Sequence, residues 1–95
     1  MATYCLFDNI EIHDAEALQA YKKRVMPLLE SYGGRYLSVG GRVQVLEGEW
    51  RPSLVLVEFP SSERALAWHS STEYRSLKAL RSRALTLNAV LLESK

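Results

Sequence analysis

The chain has one cysteine, Cys5, so no internal disulfide can form and no cysteine pair has a metal-binding spacing. It has no excess charge of either sign: 12 basic and 11 acidic side chains leave a net charge of +1. That balance removes the electrostatic footprint expected of a protein that binds nucleic acid or an anionic membrane. No apolar run approaches the ~20 residues that a membrane helix needs. The opening Met1-Ala2-Thr3-Tyr4 has neither the basic n-region nor the apolar h-region of a secretory leader, which gives a cytoplasmic expectation. The two histidines, His13 and His69, are too few and too far apart in sequence for a metal motif, and no cofactor is called for. Repeats and low-complexity tracts are also missing. What remains is ordinary globular material, 47% hydrophobic and 24% charged, in 95 residues. Residues 1–95 therefore read as a single domain.

Thr3 to Ile12 reads as a first strand, with Tyr4, Leu6, Ile10 and Ile12 on one parity and Cys5 and Phe7 on the other. Asp14 is a good N-cap for a following helix, whose Leu18, Tyr21, Val25, Leu28 or Leu29, and Tyr32 recur every three or four residues. Pro27 removes the N–H that would bond the Lys23 carbonyl, so a kink or restart is expected there. Gly33 supplies a left-handed C-cap. Leu37, Val39, Val43 and Val45 share a parity and predict one half-buried strand, bulged or bent at Gly40-Gly41. Residues Gly48 to Pro52 read as the turn out of it.

Ser53 to Phe59 predicts a third strand, apolar on both parities and therefore covered on both faces. Pro60-Ser61 stops it, and Ser61 or Ser62 caps a short helix from Glu63 to about His69. Ser70-Ser71-Thr72 breaks the chain before a helix from Glu73 to about Ala84. Thr86 to Glu93 is the last strand. The order β-α-β-β-α-β predicts an α+β, ferredoxin-like fold: an antiparallel four-stranded sheet with helices on one face. Helices can cover only one face, yet the first, third and last strands are apolar on both. The uncovered face predicts a homodimer by sheet-to-sheet packing. A charge at Val55 or Val57, whichever faces the partner, is then expected to dissociate or unfold the protein.

Two charges break the apolar pattern. Glu58 sits in the most apolar strand, and Arg81 falls among Tyr74, Leu77, Ala84 and Leu85 on a helix face. A buried carboxylate or guanidinium needs a partner. One reading is a structural Glu58–Arg81 pair under the helices. The other is a polar pocket lining in which Arg81 holds a ligand carboxylate. His69, beside Trp68, is a packing residue or a general base. Cys5 reads as a small core residue, His13 as exposed, and Ser71 as a cap rather than a nucleophile, since the flanking glycines of a nucleophile elbow are missing. Arg35 and Arg42 are solvated or guard a pocket mouth, and Trp50 packs across a dimer or rims a pocket.

Tyr32-Gly33-Gly34-Arg35-Tyr36, Leu46-Glu47-Gly48-Glu49-Trp50, Val57-Glu58-Phe59-Pro60-Ser61, Ala67-Trp68, Ser71, Glu73-Tyr74 and Arg81 together resemble the small bacterial domain-of-unknown-function family numbered thirteen-thirty. The resemblance covers nearly the whole chain and implies the dimeric α+β barrel superfamily. That superfamily includes cofactor-independent monooxygenases, isomerases, haem-binding enzymes and sensing domains, so it implies a fold without an activity. His69 stands where many relatives have tyrosine, and Thr72 where relatives often have proline.

Two functions follow as expectations. In the first, a pocket between helices and sheet binds a small carboxylated or aromatic metabolite. Tyr21, Arg35, Trp68, Ser71, Tyr74 and Arg81 contact it, and His69 or Glu58 moves a proton, in a cofactor-independent proton transfer or oxidation. In the second, the domain is a non-catalytic dimeric sensing or interaction module.

Overall fold

The computed structural model describes residues 2–50 and 54–94. Strand β1 (Thr3–Ile12) leads into helix α1 (Ala15–Ser31), then β2 (Arg35–Ser38), β3 (Leu54–Phe59), α2 (Ser62–His69), α3 (Thr72–Ala84) and β4 (Leu85–Glu93). The strands lie in the order β2-β3-β1-β4, and every neighbouring pair is antiparallel. This is the ferredoxin-like α+β arrangement, with the second helical segment broken into α2 and α3.

The local chemistry explains the breaks. The Asp14 carboxylate accepts from the amides of Glu16 and Ala17 at 3.0 and 3.2 Å, capping α1. Ser61 caps α2 by accepting from the Arg64 amide at 3.2 Å. Ser71 ends one helix and starts the next: its hydroxyl donates to the Trp68 carbonyl at 2.8 Å and accepts from the Tyr74 amide at 3.1 Å. Gly33 leaves α1 at φ +89°, a conformation that suits glycine.

Two expectations are corrected. Of the kink or restart expected at Pro27, the restart does not occur: α1 runs unbroken to Ser31. Pro27 and Lys23 lie on the exposed side, so the carbonyl that loses its amide partner faces water. The strand expected through Val45 ends at Ser38. Gly40 takes φ +68°, and residues 39–50 leave the sheet without strand structure. Val43 is half-buried, and the other apolar side chains are exposed, Leu46 at 88% and Trp50 at 53%. The expected start of the third strand at Ser53 and the end of the turn at Arg51-Pro52 lie outside the described residues.

Register fixes the two faces of the sheet. Cys5 pairs with Val57 and Leu91, and Phe7 with Val55 and Ala89. Cys5, Val57 and Phe59 join Leu18, Tyr21, Val25, Leu29, Trp68, Tyr74 and Leu77 in one core under the helices. Alternation then puts Tyr4, Leu6, Leu54, Leu56, Glu58, Val90 and Leu92 on the opposite, open face. The backbone measures 35 × 32 × 16 Å, the thickness of one helix layer on one sheet, so no second layer covers that face among the described residues. Val55 and Val57, expected as the residues that test a partner, both turn towards the helices instead.

Candidate functional site

The core is organised around an aromatic group where α2 meets α3. Trp68 lies 4.4 Å from Tyr74, 5.8 Å from Phe59 and 6.0 Å edge-on from Phe7, measured between ring centroids. Tyr74 is fully buried and its hydroxyl bonds to the Tyr21 hydroxyl at 3.1 Å. Arg81 donates from Nη1 to the same Tyr74 oxygen at 2.8 Å. The chain Arg81–Tyr74–Tyr21 contains a surplus donor. The two hydroxyls carry two hydrogens, and their mutual bond uses one. When Tyr74 donates to Tyr21, the spare hydrogen sits on Tyr21.

Tyr21 lines a cleft between α1 and the sheet with a volume of ≈ 70 Å3. Its walls are mainly apolar: Phe7, Leu18, Val25, Met26, Val55 and Leu87. Tyr21, Tyr36, Asn9, Lys22 and the edge of Trp68 supply the polar chemistry. Burial pushes the Tyr21 hydroxyl far above its ordinary range, with Tyr74 adding to the shift. Burial, then the Glu30 charge, pushes Tyr36 up to about 12. Both phenols are therefore neutral donors at any ordinary pH. The Trp68 indole N–H is buried and meets no acceptor among the described residues.

The expected site residues fall into three places. Tyr21 and Trp68 line the cleft. Tyr74 and Arg81 form the polar chain behind Tyr21, and Ser71 holds the α2–α3 corner. His69 lies on a separate groove between α2 and β4. Glu58 and Arg35 are on the open face, where Arg35 Nη2 meets Glu58 Oε1 at 2.6 Å. The Glu58–Arg81 network expected from sequence is thus absent: Glu58 neighbours Val57 in the strand and must point the other way. Arg81 finds a phenol oxygen in place of a carboxylate. Asn9, Lys22, Met26, Tyr36 and Val39 line the cleft without having been singled out. Lys22 and Met26 follow core positions Tyr21 and Val25 by one residue, a spacing that marks the flank of the helix's buried stripe.

Cys5 is buried, and burial raises its thiol pKa to about 11, which leaves it a core residue without thiolate character. His13 is exposed and its Nε2 hydrogen-bonds the Thr86 hydroxyl at 2.6 Å. Among the described residues no group of His, Cys, Asp and Glu has the clustering needed to hold a metal ion. Nor, among these residues, is any helix long and apolar enough to cross a membrane.

This two-layer ferredoxin-like fold defines an α+β class with many members, and the sequence says which branch. The chain belongs to the family described as domain of unknown function DUF1330, whose model matches residues 2–94. The fold is similar to a protein of unknown function from Rhodopseudomonas palustris, with a TM-score of 0.78 and 19% identity over 99% of this chain and 82% of that one. It is also similar to a dimeric ferredoxin-like protein of unknown function from Jannaschia sp., with a TM-score of 0.62 and 16% identity over 99% and 100% of the two chains. A dimeric protein of unknown function with a ferredoxin-like fold from Bacteroides fragilis aligns with a TM-score of 0.56 and 12% identity, over 98% and 94%. Among curated proteins none matches the sequence.

Proposed function

We propose that this chain is a homodimeric small-molecule-binding domain, with its ligand in the cleft between α1 and the sheet. The observation that carries the ligand reading is the Tyr21 hydroxyl, the end of the Arg81–Tyr74–Tyr21 chain, on an otherwise apolar cleft; with Tyr74 donating to it, its own hydrogen is left for a ligand. An apolar cavity with a few convergent donors selects a compact apolar molecule carrying an oxygen acceptor, such as a ketone or an aromatic carbonyl compound. Lys22 adds a positive charge to the lining and extends the range to aromatic acids. The catalytic reading has less support. His69 and Glu58, the candidate proton movers, lie on the groove and the open face, and neither lines the cleft.

The dimer rests on the open sheet face and on the dimeric state described for the Jannaschia and Bacteroides proteins. Thermal-shift measurements with acetophenone, benzaldehyde and benzoate test the ligand reading. At least one should raise the melting temperature in a saturable way, because a ligand selective for the folded state stabilises it. Val25→Phe, which fills the cleft, should abolish the shift. A shift unchanged in that variant, or none in the native protein, would overturn the reading.

A further inference from the structure

The face of α3 around Tyr74 carries positive charge that takes part in no ion pair among the described residues. Tyr74 is its centre. The His69 ring lies 5.4 Å from the Tyr74 ring, the Lys78 ammonium 5.9 Å from its centroid, and the Arg81 guanidinium carbon 5.9 Å from it. Lys78 and Arg81 are half-buried, so water screens them less than it would on an open surface. Their charge is felt at His69, where burial first and the two cations second hold the imidazole pKa below its ordinary value. Arg81 is not free to swing away. Nη1 is fixed on the Tyr74 hydroxyl at 2.8 Å, and its other N–H groups remain in a rigid fork suited to a carboxylate or phosphate.

His69 also belongs to an apolar groove of ≈ 190 Å3 between α2 and β4. Cys5, Leu66, Trp68, Ala89 and Leu91 form most of its wall. Leu66 is 57% exposed and Leu91 36% exposed. The helix layer stops short of this edge of the sheet, because α2 is only 8 residues long and α3 turns away towards α1. The uncovered apolar groove and the two cations beside Tyr74 therefore meet at His69, whose ring lines the groove and contacts the Tyr74 ring. Charge complementarity then selects the occupant: one end must be apolar and the other negative.

We infer that the groove beside His69, with the α3 face next to Tyr74, is a second binding site, for a small amphiphilic anion whose tail lies in the groove and whose carboxylate or phosphate meets His69, Lys78 and Arg81. Trp68 separates it from the cleft under α1, since it lines both cavities. The inference does not depend on the cleft having a ligand.

Isothermal titration of the native protein with hexanoate, hexyl phosphate, hexanol and hexylammonium tests it. The two anions should bind saturably, and the alcohol and the amine should not. If hexyl phosphate binds more tightly, a phosphate ester is the natural head group; if hexanoate does, a carboxylic acid is. Lys78→Gln and Arg81→Lys should each weaken the anions about tenfold, as expected for loss of a charge-assisted or bidentate contact. Ala89→Phe should block the tail and weaken them as well. In proton NMR the His69 imidazole should titrate at higher pH with the anion bound, because a neighbouring negative charge favours imidazolium. Hexanol binding as tightly as hexanoate, or affinity indifferent to Lys78→Gln, would overturn the inference. An unmoved His69 resonance under saturating hexanoate would do so too. Should Arg81→Lys fail to fold, Lys78→Gln and the NMR titration still decide.

Discussion

At the scale of single residues, Tyr74 carries the most connected polar atom in the core. Its oxygen serves both the Tyr21 hydroxyl and Arg81. Tyr74→Phe strands two groups, one of them a charged guanidinium, whereas Tyr21→Phe removes one bond and leaves Arg81 its acceptor. A buried polar group left without a partner costs about 1–3 kcal/mol, while a neutral hydrogen bond contributes about 0.5–1.5 kcal/mol. Urea unfolding should therefore show a larger loss for Tyr74→Phe than for Tyr21→Phe; the reverse order would mean that the Arg81 contact contributes nothing. His69 gives a second test at this scale. Burial, Lys78 and Arg81 lower its folded pKa, so the unfolded chain binds more protons as the pH falls below about 6.5. The contribution of neutral His69 is present above that value and is lost on acidification. The side chain is largely exposed, so the effect is small. His69→Gln should flatten the dependence of stability on pH between about 5 and 7, followed by chemical denaturation at each pH. An unchanged slope would show that neither its partial burial nor the two cations shift its titration.

At the scale of elements, most boundaries were legible because they are local chemistry. Asp14, Ser61 and Ser71 announce helix starts through side chains that accept from their own backbone. Gly33 and Gly34 mark the exit from α1, and Gly34 does so for a packing reason that no propensity carries. A Cβ there would stand 2.9 Å from the Phe59 ring and still closer to Leu29. Gly34→Ala should cost about 1–3 kcal/mol by overpacking, more than Asp14→Ala, whose lost cap is worth about 1 kcal/mol. Thermal unfolding of the two variants checks the order. What was not legible is which parity of a two-faced strand turns inwards. In β3 both parities are apolar, so Glu58 looked buried beneath the helices until the Cys5–Val57 pairing placed it on the other side. Arg81 was rightly placed among apolar neighbours, but its partner is a hydroxyl 7 residues earlier on its own helix. The arm after Ser38 departs from the expected strand for a related reason: alternation of Leu37, Val39, Val43 and Val45 signals a strand only when a neighbour is there to pair with. Glycine at 40 turns the chain out before one is met.

At the scale of the whole molecule, the decisive feature is an open sheet face carrying Tyr4, Leu6, Leu54, Leu56, Val90 and Leu92. Val90 and Leu92 are 57% and 58% exposed. A stable interface buries ~800 Å2 per partner, and one face of a four-stranded sheet is a surface of that order. Twofold symmetry would bury the same residues on both copies at once. The two parities of β3 make the test internal to one strand. Leu56→Lys puts a charge on the open face, where it would be unpaired only in the dimer. The variant should fold, keep its helical signal, and run as a monomer of 10.8 kDa in light scattering. Val57→Lys puts the same charge under the helices, at a position with no exposure, and should unfold the chain whatever its oligomeric state. Because the two substitutions are adjacent and introduce the same charged side chain, their difference isolates the face from the strand. A native protein already monomeric at micromolar concentration, or a Leu56→Lys variant that stays dimeric, would mean that the open face is not where the copies meet.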